Sequence, residues 1–139
     1  MLSHIYLKLN SSKRESKALE KRSLRPLTWV SEGLVVRVIS DKYRSGKFYN
    51  KKVHIKTIMN DTQFLATEGS TVLDDLREKD LETVLPGTSE FETVQVMVLK
   101  TKELGKVLSK DKKKEKVTVQ IEESLDIVTV GMDDVCLYK

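Results

Sequence analysis

From Leu34 onward, apolar and polar residues alternate at the two-residue period of a half-buried strand. Leu34, Val36 and Val38 mark a core face, and Val35, Arg37 and Ile39 mark a second face that is partly covered. The polar stretch Ser40 to Lys47, with Gly46 as its flexible point, reads as a loop. Val53, Ile55, Thr57 and Met59 then alternate with Lys52, His54, Lys56 and Ile58, which predicts a second strand. Asn60-Asp61 turns the chain into a third strand over Thr62–Thr67, and Glu68-Gly69 turns it into a fourth over Thr71–Leu73. Asp74 to Asp80 is expected to form a helical or 3-10 turn. Glu82 to Leu85 is the closing strand, and Pro86 ends it.

The pattern then returns. Val94-Gln95-Val96-Met97-Val98-Leu99 opens a second unit as Leu34–Ile39 opens the first, and Asp134-Val135-Cys136-Leu137-Tyr138 closes it as Asp80–Leu85 closes the first. Between them the pattern predicts strands near 105–110, 115–121 and 125–130. A repeat of about 50 residues suits a five-strand unit. Five short strands with a 3-10 turn before the last describe an SH3-like barrel. The expected fold is therefore mainly β: two tandem SH3-like five-stranded barrels over 29–86 and 93–139, behind a basic tail or linker over 1–28. In that tail Ser12 and Glu15 have capping-box spacing before Lys17, Ala18, Leu19 and Glu20, so a short helix is an option there. Units of roughly 55 residues fold alone only marginally. The short connection Pro86 to Glu92 makes the barrels pack on each other within a monomer.

Composition changes this picture little. The 139 residues, 39% hydrophobic and 33% charged, describe a globular chain. A single cysteine, Cys136, rules out an internal disulfide. The placement of charge says more than its sum of +4. Residues 1–28 hold seven basic side chains against two acidic ones. Positions 37–56 carry seven basic residues against Asp41 alone, and positions 61–82 carry seven acidic against two basic. A second basic run, dominated by Lys110, Lys112, Lys113, Lys114 and Lys116, lies within 100–116. Poles separated in this way can offer one face to a polyanion and another to a different partner, or can simply keep strand ends soluble.

Catalysis finds no footing in the sequence. His4 and His54 are the only histidines, and neither has a cysteine or carboxylate at metal-ligand spacing. Cys136 sits in an apolar strand as a small hydrophobe, Asp74-Asp75 and Asp133-Asp134 read as solvated turn caps, and no phosphate loop is present. No cofactor or metal is expected. Single-stranded RNA, by contrast, needs cations for phosphates and flat side chains for bases. Lys42, Arg44, Lys47, Lys51 and Lys52 surround Tyr43, Phe48 and Tyr49. Tyr43, in a polar loop between two cations, is the aromatic expected to be most exposed. Phe48 and Tyr49 either face RNA or fill the barrel rim. Trp29 is expected to cover a barrel end. Lys112, Lys113 and Lys114 form the second candidate cluster. The acidic stretch from Asp61 to Glu82 supports an alternative, a protein-docking scaffold for a basic partner.

A family emerges from particular strings. These are Trp29-Val30, Leu34–Ile39, Gly46-Lys47-Phe48-Tyr49-Asn50-Lys51-Lys52-Val53, Glu68-Gly69 through Leu73, Leu76-Arg77-Glu78 and Leu81–Pro86. Together with Val96–Leu99 and the closing Asp133–Tyr138, they make residues 29–139 resemble the C-terminal region of the nuclear G-patch and KOW-motif proteins. The zinc-finger Kin proteins, nuclear nucleic-acid binders whose C-terminal halves are also tandem SH3-like barrels, share the Tyr-Asn-Lys-Lys and Leu-Glu-Thr-Val-Leu-Pro pieces. The first resemblance implies KOW-type SH3-like barrels, RNA binding, a nuclear location and spliceosomal protein partners. It also implies a DEAH-box helicase partner reached through a G-patch, but these 139 residues contain no such glycine-rich segment. The KOW turn is reduced here to Leu104-Gly105-Lys106-Val107.

Overall fold

The computed structural model describes residues 25–139. The helix considered near Ser12–Glu20, and most of the basic tail, lie outside them. Ten strands form two five-stranded antiparallel sheets. β1 (Val35–Val38), β2 (Lys52–Ile58), β3 (Phe64–Glu68), β4 (Thr71–Leu73) and β5 (Leu81–Thr83) lie in the order β4-β3-β2-β1-β5. β6 (Gln95–Val98), β7 (Glu103–Asp111), β8 (Lys116–Ile121), β9 (Ile127–Gly131) and β10 (Val135–Tyr138) lie in the order β10-β6-β7-β8-β9. Among the described residues the only helical elements are 3-10 turns, at Tyr43–Gly46, Glu78–Asp80, Thr88–Glu90 and Met132–Asp134.

The internal repeat extends to single hydrogen bonds. In both sheets the opening strand sits between the second and the closing strand, and a 3-10 turn leads into the closing strand. Ile39 N–H donates to Asp80 O at 2.8 Å, and Leu99 N–H donates to Asp134 O at 2.8 Å. Each second strand carries one bulge: the register shifts between Ile55 and Thr57 in β2 and between Val107 and Ser109 in β7. Lys56 and Leu108 are thus the extra residues. The bulge corrects the strict alternation expected through Met59. An inserted residue reverses which side chains face inward. Val53 and Ile55 are buried, Ile58 takes the next inward position, and Met59 is left 56% exposed.

Two large apolar clusters follow from these alternations, beside a small one of Val35, Val84 and Leu137. One holds Val96, Val98, Val107, Val117, Val119, Ile121 and Val135, all from the second sheet. The other joins both sheets: Leu34, Val36, Ile55, Leu73 and Leu81 share it with Met97, Leu99 and Cys136. A backbone seam reinforces the junction. Leu34 bridges Tyr138, Leu137 N–H donates to Val84 O at 2.7 Å, and Lys139 N–H donates to Gly33 O at 2.7 Å. Gly33 is required there, since a Cβ would lie 2.3 Å from a Tyr138 ring carbon.

The segment before β1 is held against the first sheet rather than forming the end of a free tail. Leu27 N–H donates to Asp61 O at 2.7 Å. The Glu78 carboxylate accepts from the backbone N–H groups of Thr28, Trp29 and Val30 at 2.8–2.9 Å, and also from the Thr28 hydroxyl. Trp29, half-buried, packs against the shared core.

Candidate nucleic-acid interface

The first basic cluster occupies the β1–β2 connection, whose backbone conformation is unusual. Arg44, Ser45 and Gly46 have φ of 46°, 59° and 81° in succession. Left-handed backbone at a non-glycine residue costs about 1–2 kcal/mol. Such strain persists where surrounding bonds fix it, and it gathers at functional segments. Here Ser40 Oγ accepts from the N–H groups of Lys42 and Tyr43 at 3.2 Å each, and a Cβ on Gly46 would meet Asp41 O at 2.9 Å. Asn50, at φ 66°, turns the chain into β2, a conformation that asparagine tolerates better than most residues.

This turn sorts the aromatic residues. Phe48 is buried at 2% exposure and belongs to the core. Tyr43, expected to be the most exposed, is instead half-buried against the same core, and its hydroxyl donates to Asp74 O at 2.5 Å. Burial raises its pKa, an effect that Arg44 opposes and Asp74 and Asp75 reinforce. The left-handed turn folds the ring back onto Phe48, with centroids 6.3 Å apart, and this explains the correction. Tyr49 alone points outward, at 54% exposure.

The cations divide similarly. Arg44 is committed to Asp74 at 2.8 Å. Lys47 and Lys51 place their ammonium groups 5.7 and 5.9 Å from the Phe48 ring centre, at the outer reach of a cation–π contact. Lys42, Lys47, Lys51 and Lys52 have no carboxylate partner among the described residues. Lys52 stands opposite Arg37 across the β1–β2 pair. Sequence reading passed over Arg37 as a site residue, although its place between the buried Val36 and Val38 marked it as outward-facing. Its guanidinium is shared with Glu82 at 3.5 Å.

Lys112, Lys113 and Lys114 lie at the tip of the β7–β8 hairpin, all exposed. Asp111 Oδ1 accepts from Lys114 N–H at 3.2 Å, and Glu115 at φ 56° closes the turn. Among the described residues no aromatic contact to these three lysines is found. The nearby Lys110 is captive, with its ammonium donating to Pro86 O at 2.9 Å and lying 5.6 Å from the Phe91 ring centre.

The acidic stretch is largely used internally. Asp74 holds Arg44, Glu78 holds residues 28–30, Asp80 accepts from Arg77 N–H at 3.0 Å, and Glu82 faces Arg37. Cys136 is wholly buried, and burial pushes its thiol up to about 11, which makes it a poor nucleophile near neutrality. His54 Nε2 lies 3.0 Å from Lys139 O.

Comparison with known proteins places this geometry in a family. Residues 34–139 match the family described as the GPKOW C-terminal domain. The human "G-patch domain and KOW motifs-containing protein" is 29% identical over 146 residues, covering 96% of this chain and 31% of the relative. Its Xenopus laevis counterpart is 34% identical over 116 residues, covering 81% of this chain and 24% of the relative. "G-patch domain and KOW motifs-containing protein homolog 1" of Caenorhabditis elegans is 34% identical over 108 residues, covering 76% and 23%. The chain thus spans about a quarter to a third of the length of these relatives. With a match that begins at the first core residue of β1's approach and runs through both sheets, the chain belongs to the GPKOW C-terminal domain family.

Proposed function

We propose that this chain is an RNA-binding module of a nuclear, splicing-associated protein, without catalytic activity of its own. In this reading the two sheets are tandem SH3-like, KOW-type barrels over 29–86 and 93–139. The β1–β2 loop of the first is the leading contact. The observation that carries the reading is the set of four lysines, Lys42, Lys47, Lys51 and Lys52, without carboxylate partners among the described residues and gathered beside the outward-facing Tyr49. A strained, internally bonded turn holds them, so little ordering entropy is lost when a strand of phosphates arrives. The family relatives carry KOW motifs by name, which supports nucleic acid as the ligand class.

RNA and spliceosomal proteins are the partners of this reading. A DEAH-box helicase is not required by it, since no G-patch segment is present in these residues. Docking of a basic protein on the acidic stretch is the weaker alternative, because most of those carboxylates already hold this chain's own groups. The test is an electrophoretic shift with a short single-stranded RNA at 50 and 200 mM salt. With three or four phosphate contacts, the slope of log affinity against log salt should be roughly −2 to −3. Absence of any shift at the lower salt overturns the reading and returns the module to a protein scaffold.

A further inference from the structure

A cleft among the described residues lies away from the loop just discussed. It has a volume of about 450 Å³, within the usual range for small-molecule sites. One wall is the segment from Arg25 to Trp29, and the other is the turn Arg77-Glu78-Lys79. Three cations therefore face one carboxylate, and that carboxylate is occupied: Glu78 accepts four hydrogen bonds from residues 28–30. Arg77 is shared with Asp80 at 3.7 Å, whereas Arg25 and Lys79 have no ion-pair partner among the described residues. Trp29, the only tryptophan in the chain, supplies an indole, and Leu27 adds an apolar side chain.

A concave site with an indole, an apolar side chain and two cations unpaired among the described residues matches one chemistry well, a phosphate joined to a flat aromatic base. Flat surfaces studded with lysine attract phosphates but do not enclose a base. The β1–β2 loop is of that kind, because Phe48 is buried and Tyr43 is tied to Asp74, leaving it only Tyr49. The Trp29 cleft supplies the enclosure that the loop lacks. It is also connected to the loop: an adjoining cleft shares Thr62 and Arg77 with it and reaches Asp74, the partner of Arg44.

We propose that this cleft is a nucleotide subsite, in which Arg25 and Lys79 hold a phosphate and Trp29 stacks the base. Glu78 acts as a positioning residue, fixing Trp29 through the backbone N–H groups of residues 28–30. The proposal rests on the RNA-binding reading, and its test separates the two. Because Trp29 is the sole tryptophan, indole emission reports on this one side chain, and because Trp29 also borders a second cleft, lined by Glu82, Lys100 and Asp134, the variant at Arg25 and Lys79 assigns the signal to this one. The full chain is titrated with a decameric single-stranded RNA and, separately, with AMP, while affinity for the RNA is followed in parallel by fluorescence anisotropy of a labelled strand.

The expected result is quenching of Trp29 emission that saturates together with RNA binding. The Arg25→Glu, Lys79→Glu double variant, altered only at exposed side chains, should lose the quenching and bind RNA at least about tenfold more weakly at 100 mM salt. Its salt slope should be shallower by about 1.4, or 0.7 per lost phosphate contact. Quenching by AMP at concentrations where the RNA also saturates would identify a free nucleotide as a ligand of the same chemistry. Quenching by RNA alone assigns the cleft to the strand. RNA binding that leaves the indole emission and the double variant's affinity unchanged overturns the subsite and spares the loop. No RNA binding at 50 mM salt overturns both.

Discussion

Consider one row of side chains across each sheet. In the first, Lys52 on β2, Arg37 on β1 and Glu82 on β5 stand side by side. In the second, the matching positions are Leu104 on β7, Met97 on β6 and Cys136 on β10. The repeat brings both rows to the outward face of their opening strand. In the first row Lys52 and Glu82 are exposed and Arg37 is half-buried, with Arg37 and Glu82 loosely paired at 3.5 Å. In the second, Met97 is 7% exposed and Cys136 0%, and both join the core cluster that Leu34 and Ile55 build. One topology thus uses the same face in two ways. Apolar residues make the second sheet's outer face an interface, and charged residues leave the first sheet's outer face open beside the lysine loop. Within a shared fold, the polarity of three residues decides which half docks and which half is available to a ligand.

The strongest way to break this contrast is to exchange the rows. Cys136→Glu writes the first sheet's carboxylate into the buried seam, where no cation waits. An uncompensated buried charge destabilises by about 3–5 kcal/mol. Glu82→Cys, its mirror, removes one member of an exposed pair and should change stability by no more than about 1 kcal/mol. Urea denaturation followed by far-UV circular dichroism gives both values. Similar losses in the two variants would mean that the two rows do not differ in role.

The same buried thiol sharpens the contrast through pH. Burial raises the Cys136 pKa from 9.0 to about 11, so the folded state keeps its proton after the unfolded chain has released it. In that interval the native state binds more protons, and stability falls as pH rises. The contribution is intact below about pH 9 and declines up to about pH 11, by roughly 2–3 kcal/mol at about 1.4 kcal/mol per unit. Because lysines and tyrosines titrate in the same range, the measurement is a difference. The Cys136→Ala variant should show a shallower loss of stability between pH 8.5 and about 11 than the parent chain. Parallel curves would mean that the thiol is wetted.

Ligand binding probes the halves from the other direction. Reversing Lys47, Lys51 and Lys52 to glutamate should weaken single-stranded RNA binding about tenfold or more at 0.1 M salt. The same reversal at Lys112, Lys113 and Lys114 should do less, because no exposed aromatic residue stands beside these three lysines among the described residues, and Phe91 lies against Lys110 instead. Anisotropy titration with one labelled RNA compares the two triple variants. An equal or reversed ranking makes the second sheet's hairpin the leading contact.

What the sequence shows and hides follows the range of each interaction. Alternation within a strand is local, so all ten strands are legible within a few residues, and the repeat follows from them. Val96-Met97-Val98-Leu99 is buried on both faces, and its unbroken apolar run is a local signal of such cover that matching it to Leu34–Ile39 did not use. The bulges at Lys56 and Leu108 were not visible. An inserted residue leaves composition unchanged and appears only where the register shifts, and Met59 was misplaced for that reason. Tyr43 was misread because its fate depends on three successive left-handed residues and on a carbonyl 31 positions away. The Trp29 segment is held by Glu78, about 50 residues along the chain. No spacing rule reaches that far, so Arg25 and Lys79 did not register as a site.

The smallest expected effects lie inside the loop itself, and they distinguish its electrostatic from its stacking half. Lys51 has no carboxylate partner among the described residues, so Lys51→Ala should remove one phosphate contact and make the salt slope shallower by about 0.7. Between 50 and 200 mM salt that amounts to a factor of about 2.6. Tyr49→Ala releases no counterion and should leave the slope unchanged. It should lower affinity by a constant factor at every salt concentration, on the order of fivefold if stacking contributes about 1 kcal/mol. Tyr43→Phe supplies the control within the same loop. Its ring stays in the core, and only the hydroxyl bond to Asp74 O is lost, so RNA affinity should stay within twofold while stability falls by about 1 kcal/mol. If Tyr49→Ala behaves like Tyr43→Phe, the exposed ring does not touch a base, and the loop binds phosphates alone. Base stacking would then rest with Trp29, and the difference between the two halves would be one of charge placement only.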